Sequence, residues 1–295
     1  MSGRSIWSLM LLSLAACTSP KAVFDDSGMG RTAPADILFQ NKSTGATSYY
    51  WDFGDSTGSE LITPAHRYLM SGRYTVQLKA VNGSKTSITK KEVIVQPPDK
   101  CLVVIHTSMG DLIAQLYSDT PLHQDNFIKL AEAGYYDGLL FHRVISGFMV
   151  QGGDPHSRDA APGIELGKGG PEYTIRHEIN DTLFHVKGAL AAARLSDEAN
   201  PEKASSGSQF YIVHGRPLTD TEIENSEFEK GISYDKRTKE ILKTQGGAPT
   251  LDMEYTVFGQ VVSGLDIIDS IAVSKTDHRN RPHEDIKILK ITVIK

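Results

Sequence analysis

The stretch FHRVISGFMVQGGD, Phe141 to Asp154, sets one arginine, Arg143, among apolar and aromatic neighbours and follows it with Phe148, Met149, Gln151 and a pair of glycines. No serine or cysteine stands there beside a base that would activate it, so the segment offers no covalent nucleophile. It offers instead a donor that keeps its proton at pH 7, an apolar wall and an amide. Taken singly, Phe148 and Met149 read as core and Arg143 as half of a surface ion pair. Only their company argues for a site. Gly152 and Gly153 suit a bulge or a close backbone approach, not a phosphate cradle. His142 reads as structural, while His106, His123, His177, His185 and His214 form no coherent pattern.

Bulk chemistry narrows the classes. A chain of 295 residues has room for two domains. Its net charge of -5 gives no support to a nucleic-acid partner, which usually meets a basic excess. The 2 cysteines, Cys17 and Cys101, provide no disulfide framework. The 10 histidines lack metal-ligand spacing. Neither a metal nor a cofactor is expected, and Cys101 is expected as a buried free thiol in a strand.

The first residues stand apart. Arg4 precedes an apolar run from Ile6 to Leu14 that ends in small residues, as a secretory leader does, and the run is short for a membrane span. Leu14-Ala15-Ala16-Cys17 resembles a bacterial lipobox. That resemblance implies a signal peptide over 1–16, lipid on Cys17, and attachment to the envelope through several acyl chains at ~0.8 kcal/mol per buried CH2. Thr18 in place of Asp after the cysteine favours the outer membrane.

The elements that must position the site come next. Residues 17–32 are rich in Ser, Gly, Asp and Pro and are expected as a tether. Tyr74, Val76 and Leu78 alternate with polar residues, the period of a half-buried strand. Further strands are expected at Asp36–Phe39, Ser48–Phe53 and Ser87–Val95, and the short, turn-broken runs argue for a β-sandwich. WDFGD at 51–55, PAHRY at 64–68 and GRYTV at 72–76 resemble the PKD domain family, an immunoglobulin-like sandwich expected over 33–97. Asp52 and Asp55 read as turn formers and Trp51 as core. The resemblance implies a spacer, or a module for a protein or glycan partner. QPPDK at 96–100 is a stiff linker.

Beyond it, residues 98–295 read as a second domain. A hairpin is expected from 101–105 and 112–117. A helix should start at Pro121 with Asp119 or Thr120 as its cap, bury Leu122, Phe127, Leu130 and Ala131, and stop at Gly134. Strands follow at 139–145, 148–152, 188–193, 208–213, 255–262 and 286–294, with a helix at 265–272. Many strands and few helices suggest a closed barrel capped by helices. FHRVISGFMVQGGD, GALAAAR at 188–194, SSGSQFYIV at 205–213 and LDMEYTVFGQVVSGLDIIDSI at 251–271 resemble, in order, the cyclophilin family. The resemblance implies an eight-stranded barrel and a peptidyl-prolyl cis-trans isomerase, so the fold class expected is mainly β throughout.

Such an enzyme has no bond to break. The resemblance gives Arg143 and Gln151 the catalytic roles. It lines the proline pocket and its edges with Phe148, Met149, Ala193, Arg194, Gln209, Tyr211, Leu251 and Tyr255. Tyr211 stands where many members have Phe, and Tyr255 where many have His. Thr250 replaces a common Trp or His, Arg194 replaces a common Asn, and 215–249 is longer than usual, with helices expected at 219–230 and 234–244. That insertion reads as a solvated surface excursion; a lid or a docking piece is the alternative. The expected function is isomerisation of X-Pro bonds in exported proteins at the bacterial envelope, with low-turnover binding of Pro-containing segments, or an adhesive scaffolding lipoprotein, as alternatives.

Overall fold

The computed structural model describes residues 19–27, 31–68, 71–96 and 100–294. The expected signal peptide over 1–16, Cys17 with its expected lipid, and most of the linker lie outside them. The chain divides into two units, Met1–Pro97 and Pro98–Lys295.

The first unit is built on aromatic burial. Its strands are β1 (Phe24–Asp26), β2 (Arg31–Thr32), β3 (Ala35–Asn41), β4 (Ser48–Asp52), β5 (Gly58–Ser59), β6 (Ala65–Tyr68), β7 (Gly72–Asn82) and β8 (Lys85–Gln96). They form two sheets, β1-β3-β6 and β2-β8-β7-β4-β5. Phe24 and Phe39 from the first sheet meet Trp51 of the second at 5.1 and 5.6 Å between ring centroids. All three rings are fully buried, and the Trp51 indole N–H donates to the Leu61 carbonyl at 2.9 Å. This is the expected sandwich.

The expected tether over 17–32 needs correcting. Phe24 pairs opposite Asn41 in the sheet, and Arg31 and Thr32 run parallel to Val95 and Gln96. One buried ring completing the core outweighs a turn-rich composition. Asp52 and Asp55 serve the turn: Asp52 accepts from the Gly54 N–H, and Asp55 from the Thr57 N–H and hydroxyl. Asp55 also meets His66 Nε2 at 2.7 Å.

The second unit contains β9 (Leu102–Thr107), β10 (Gly110–Leu116), α1 (Pro121–Glu132), β11 (Arg143–Ile145), β12 (Met149–Gly152), β13 (Thr174–Ile175), β14 (Ala189–Ala192), β15 (Ser205–Ser206), β16 (Phe210–Val213), α2 (Asp220–Lys230), α3 (Lys236–Thr244), β17 (Val257–Ser263), α4 (Leu265–Ala272) and β18 (Ile288–Ile294). Eight of these strands form one sheet in the order β11-β12-β16-β14-β17-β10-β9-β18, antiparallel throughout. The segment entering β11 closes it. Phe141 N–H donates to the Ile286 carbonyl at 2.9 Å and Ile288 N–H to Leu139 at 2.7 Å. Closure removes the free edges.

Strand periodicity then sorts the side chains. Val144, Val150, Leu190, Ala192, Phe210 and Ile212 point inward and join Phe127 and Leu130 of α1 and Ile268 and Ile271 of α4 in one core. The barrel interior is therefore filled, and a site must lie outside it. At α1, Thr120 holds the cap position but its hydroxyl makes no capping bond and donates to the Tyr117 carbonyl instead, at 3.3 Å. Glu178, distant in sequence, caps instead by accepting from the Leu122 and His123 N–H groups at 3.1 and 3.0 Å. A carboxylate is well placed at a helix N-terminus. Leu122, expected inside, is exposed and His123 takes the buried place. Cys101 is a free thiol of intermediate exposure just ahead of β9, not a buried strand residue, and burial pushes its pKa up.

The insertion over 215–249 is not a loose excursion. Thr219 and Glu222 form a reciprocal cap for α2, and Asp235 caps α3. Ile223, Tyr234 and Leu242 make a small core with Phe184, Val186, Leu218 and Ile232.

Candidate active site

The outward-facing positions of the same strands assemble the site. Arg143 lies opposite Gln151 across β11 and β12, Gln151 opposite Tyr211 on β16, and Tyr211 opposite Ala191 on β14. Directly paired residues share a sheet face, so the alternation that sends Val144, Val150 and Ile212 inward brings this row out together. Gly153 allows the turn after β12. Its φ is +89°, and a Cβ there would lie 2.3 Å from the Ser208 carbonyl oxygen, the close approach expected of it.

A cleft of about 270 Å³ opens over this row, lined by Arg143, Phe148, Met149, Gln151, Ala193, Arg194, Tyr211, Leu251 and Tyr255. Every residue expected of the site except Gln209 lines it, and Gln209 stands directly behind. The Gln209 amide N–H donates to the Gly169 carbonyl at 2.7 Å. The Gln151 amide N–H donates to Gln209 Oε1 at 3.1 Å, and Arg143 Nη1 donates to Gln151 Oε1 at 3.2 Å. A backbone carbonyl thus orients two amides in series, and the second orients the guanidinium. Among the described residues Arg143 has no carboxylate partner.

The floor is the ring of Tyr211, 4% exposed. Burial pushes its phenol pKa well up, so it stays protonated. Its hydroxyl points away from the cleft to His185 Nε2 at 2.9 Å. Tyr255 stands edge-on to it at 5.9 Å. Arg194, expected at the pocket edge, is fixed from behind. Its guanidinium lies 4.5 Å over the Tyr255 ring, donates to the Glu254 carbonyl at 2.9 Å and pairs with Asp197. Its side chain is 5% exposed, so it stiffens the wall.

Two cavities flank the cleft. One of about 650 Å³ shares Gln151, Ala193 and Arg194 with it. The other, about 280 Å³, shares Phe148 and runs between Thr250 and α2 of the insertion. Thr250 therefore lines the flank and not the cleft.

Three buried residues were missed from the sequence: His185, Asp252 and Tyr234. His185 and Asp252 meet at 2.7 Å with side chains 0% and 1% exposed, and Tyr234 donates to the other Asp252 oxygen at 2.6 Å. Nothing in their spacing announces this, because His185 and Asp252 precede the paired strands β14 and β17 and Tyr234 comes from the insertion packed on Phe184 and Val186.

Comparison with known proteins gives two family matches. The profile of the cyclophilin type peptidyl-prolyl cis-trans isomerases matches residues 102–293, and that of the PKD domain matches 18–96, so the second match also begins before the strands of the supposed tether. A peptidyl-prolyl cis-trans isomerase of Staphylococcus saprophyticus is 35% identical over 193 residues, 65% of this chain and 91% of that one. Its counterpart in Staphylococcus aureus is 34% identical over 192 residues, 65% and 90% of the two chains. A crystal structure of a Cryptosporidium parvum cyclophilin type isomerase aligns with 66% of this chain and 98% of its own at 25% identity and a TM-score of 0.48.

Proposed function

The chain belongs to the cyclophilin-type peptidyl-prolyl cis-trans isomerase family and carries a PKD domain ahead of its isomerase domain; from that premise we propose that Arg143, held by Gln151, drives the rotation of X-Pro bonds in the cleft over Tyr211. The observation that carries this reading is a fixed, carboxylate-free guanidinium at the edge of an apolar pocket. The barrier to X-Pro rotation, ~18–20 kcal/mol, comes from amide resonance. In the twisted state that resonance is lost, the carbon–nitrogen bond is nearly single, and the proline nitrogen becomes basic. A donor aimed at that nitrogen helps only there, which is differential binding of the transition state. Gln151 occupies one guanidinium donor and leaves the rest of the fork for the substrate.

The apolar residues supply the second effect. Phe148, Met149, Tyr211 and Leu251 favour the less dipolar twisted amide over the planar one. A 10^5-fold acceleration needs about 7 kcal/mol. One charge-assisted hydrogen bond gives only ~1.5–3 kcal/mol, so the pocket and the orientation it imposes supply the remainder. The flanking cavities accommodate chain on both sides of the proline.

The test is cis/trans exchange of an X-Pro peptide followed by NMR. Arg143→Ala should lose the guanidinium's share, on the order of 10- to 100-fold in kcat/KM. Unchanged activity in that variant would refute the mechanism, and no acceleration by the wild type would refute the site.

We place this activity at the bacterial envelope, on exported clients, with the PKD domain as a spacer or partner-binding module. The support is the leader and Leu14-Ala15-Ala16-Cys17. Mass spectrometry of the mature N-terminus should find lipid on Cys17; an unmodified cysteine would remove the anchor.

A further inference from the structure

We propose that Tyr234, within the insertion, is a positioning residue for the floor of the proline pocket, acting on Tyr211 through Asp252 and His185. This rests on the reading that the cleft over Tyr211 receives proline.

With Asp252 as acceptor and the His185 ring neutral, the hydrogens of the chain follow. Asp252 accepts three bonds: from the Tyr234 hydroxyl at 2.6 Å, the His185 backbone N–H at 2.8 Å and His185 Nδ1 at 2.7 Å. An ionised carboxylate donates nothing, so Nδ1 carries a hydrogen. In the neutral ring Nε2 is then an acceptor, and the Tyr211 hydroxyl donates to it. The consequence reaches the substrate. The Tyr211 hydroxyl is turned down and occupied, so the pocket presents a ring without a polar group, and the ring cannot swing.

The insertion grips this chain at several points. Tyr234 packs edge-on against Phe184 at 4.7 Å, the neighbour of His185. Ala248 N–H donates to the His185 carbonyl at 2.8 Å, and Val186 bridges to Gly247. Asp252 follows Leu251, a wall of the pocket, so fixing the carboxylate also fixes that wall. With every polar atom buried, losing one donor leaves its partner unsatisfied and free to re-aim.

Loosening the Tyr211 ring weakens its contact with the planar and the twisted amide alike and leaves unchanged the apolar character that favours the twisted form, so the signature is in KM and not kcat. Tyr234→Phe should raise KM for an X-Pro peptide about 5-fold, the worth of one hydrogen bond, with kcat unchanged. Tyr211→Phe should do the same, and the double variant should be no worse than either single one. An unchanged KM in Tyr234→Phe, or additive effects in the double variant, overturns the proposal. The imidazole nitrogen spectrum of wild-type His185 decides independently of how the variants fold: a neutral ring with hydrogen on Nδ1 supports the relay, and a charged ring or an Nε2–H tautomer overturns it. Met149→Ala separates the two readings. If it leaves KM unchanged the pocket assignment fails, whatever the His185 spectrum shows.

Discussion

Two acid–histidine–hydroxyl chains of the isomerase domain, those centred on the buried His123 and His185, have the same local geometry. In one, Glu178 meets His123 Nδ1 at 2.7 Å and His123 Nε2 meets the Ser205 hydroxyl at 2.9 Å. In the other, Asp252 meets His185 Nδ1 at 2.7 Å and His185 Nε2 meets the Tyr211 hydroxyl at 2.9 Å. Drawn alone, the first looks like a serine nucleophile with its base and orienting acid. Its surroundings say otherwise. The space beside His123 is about 10 Å³, room for about one water, and Ser205 is 2% exposed. Glu178 is meanwhile occupied capping α1. Over Tyr211 there is a cleft of about 270 Å³. The same two bonds therefore build a scaffold in one place and a substrate-facing floor in the other. What differs is the last residue: Tyr211 carries a ring that lines a cleft, whereas Ser205 has no ring and is buried.

The most damaging way to break that comparison is to remove each histidine. His185→Ala leaves Asp252, 1% exposed, with Tyr234 and one backbone donor. It should cost about 3 kcal/mol of stability and raise KM as well. His123→Ala should cost about 2 kcal/mol, because Glu178 keeps the backbone donors of α1, and KM should not move. Urea melts and peptide kinetics on both variants check this. If His123→Ala raises KM as much as His185→Ala does, the two chains do not differ in function.

How far each chain could be read from sequence follows from the range of its contacts. Arg143, Met149 and Gln151 sit at alternate positions of two short strands joined by one turn, so their common face is written into the local pattern. Tyr211, Leu251 and Tyr255 were placed by family resemblance to separate motifs, and the cleft brings them together. The cap position of α1 was legible, since Thr120 holds it, but the acceptor was not, because a carboxylate from a remote loop supplies it. Phe24 was missed because one aromatic residue in a turn-rich stretch carries no periodicity. The tie from Tyr234 to Tyr211 passes through two residues contributed by different loops, and only the pairing of β14 with β16 and β17 aligns them. Helix α2 was legible because Thr219 and Glu222 are a local cap signal. Its docking was not, since Phe184 and Val186 lie on another segment.

A third buried histidine sharpens the contrast by lacking partners. His142, beside Arg143, is 4% exposed, and neither ring nitrogen has a hydrogen-bond partner among the described residues. Burial pulls its pKa down from the ordinary 6.5 to about 4, against the pull of Asp154. In the unfolded chain it binds a proton near pH 6.5, whereas folded it stays neutral until about pH 4. Stability is therefore full above pH 6.5 and falls as pH drops toward 4, by about 3 kcal/mol over the window. His142→Leu should flatten that part of the curve. Parallel pH–stability curves for the two proteins would mean that His142 is not held neutral by burial.

The smallest expected effect is the most discriminating. Ser205→Ala deletes only the hydroxyl at the end of the first chain. Were Ser205 a nucleophile, its loss would abolish an activity; as scaffold, its loss leaves His123 Nε2 unsatisfied at a cost of about 1 kcal/mol. His123 is already pushed toward its neutral form by burial, with Glu178 pulling the other way, so losing the hydroxyl does not force a charge on it. The variant should melt slightly lower and isomerise the X-Pro peptide with unchanged kcat and KM, whereas Tyr211→Phe, the equivalent deletion in the second chain, should raise KM. The pair removes the same hydroxyl-to-imidazole bond at the same 2.9 Å distance, so the hydrogen bond itself is common to both. Any difference in KM then reports position alone: one hydroxyl anchors a helix, the other anchors the surface on which the proline rests. Equal KM values in the two variants would show that holding the Tyr211 ring contributes nothing to binding.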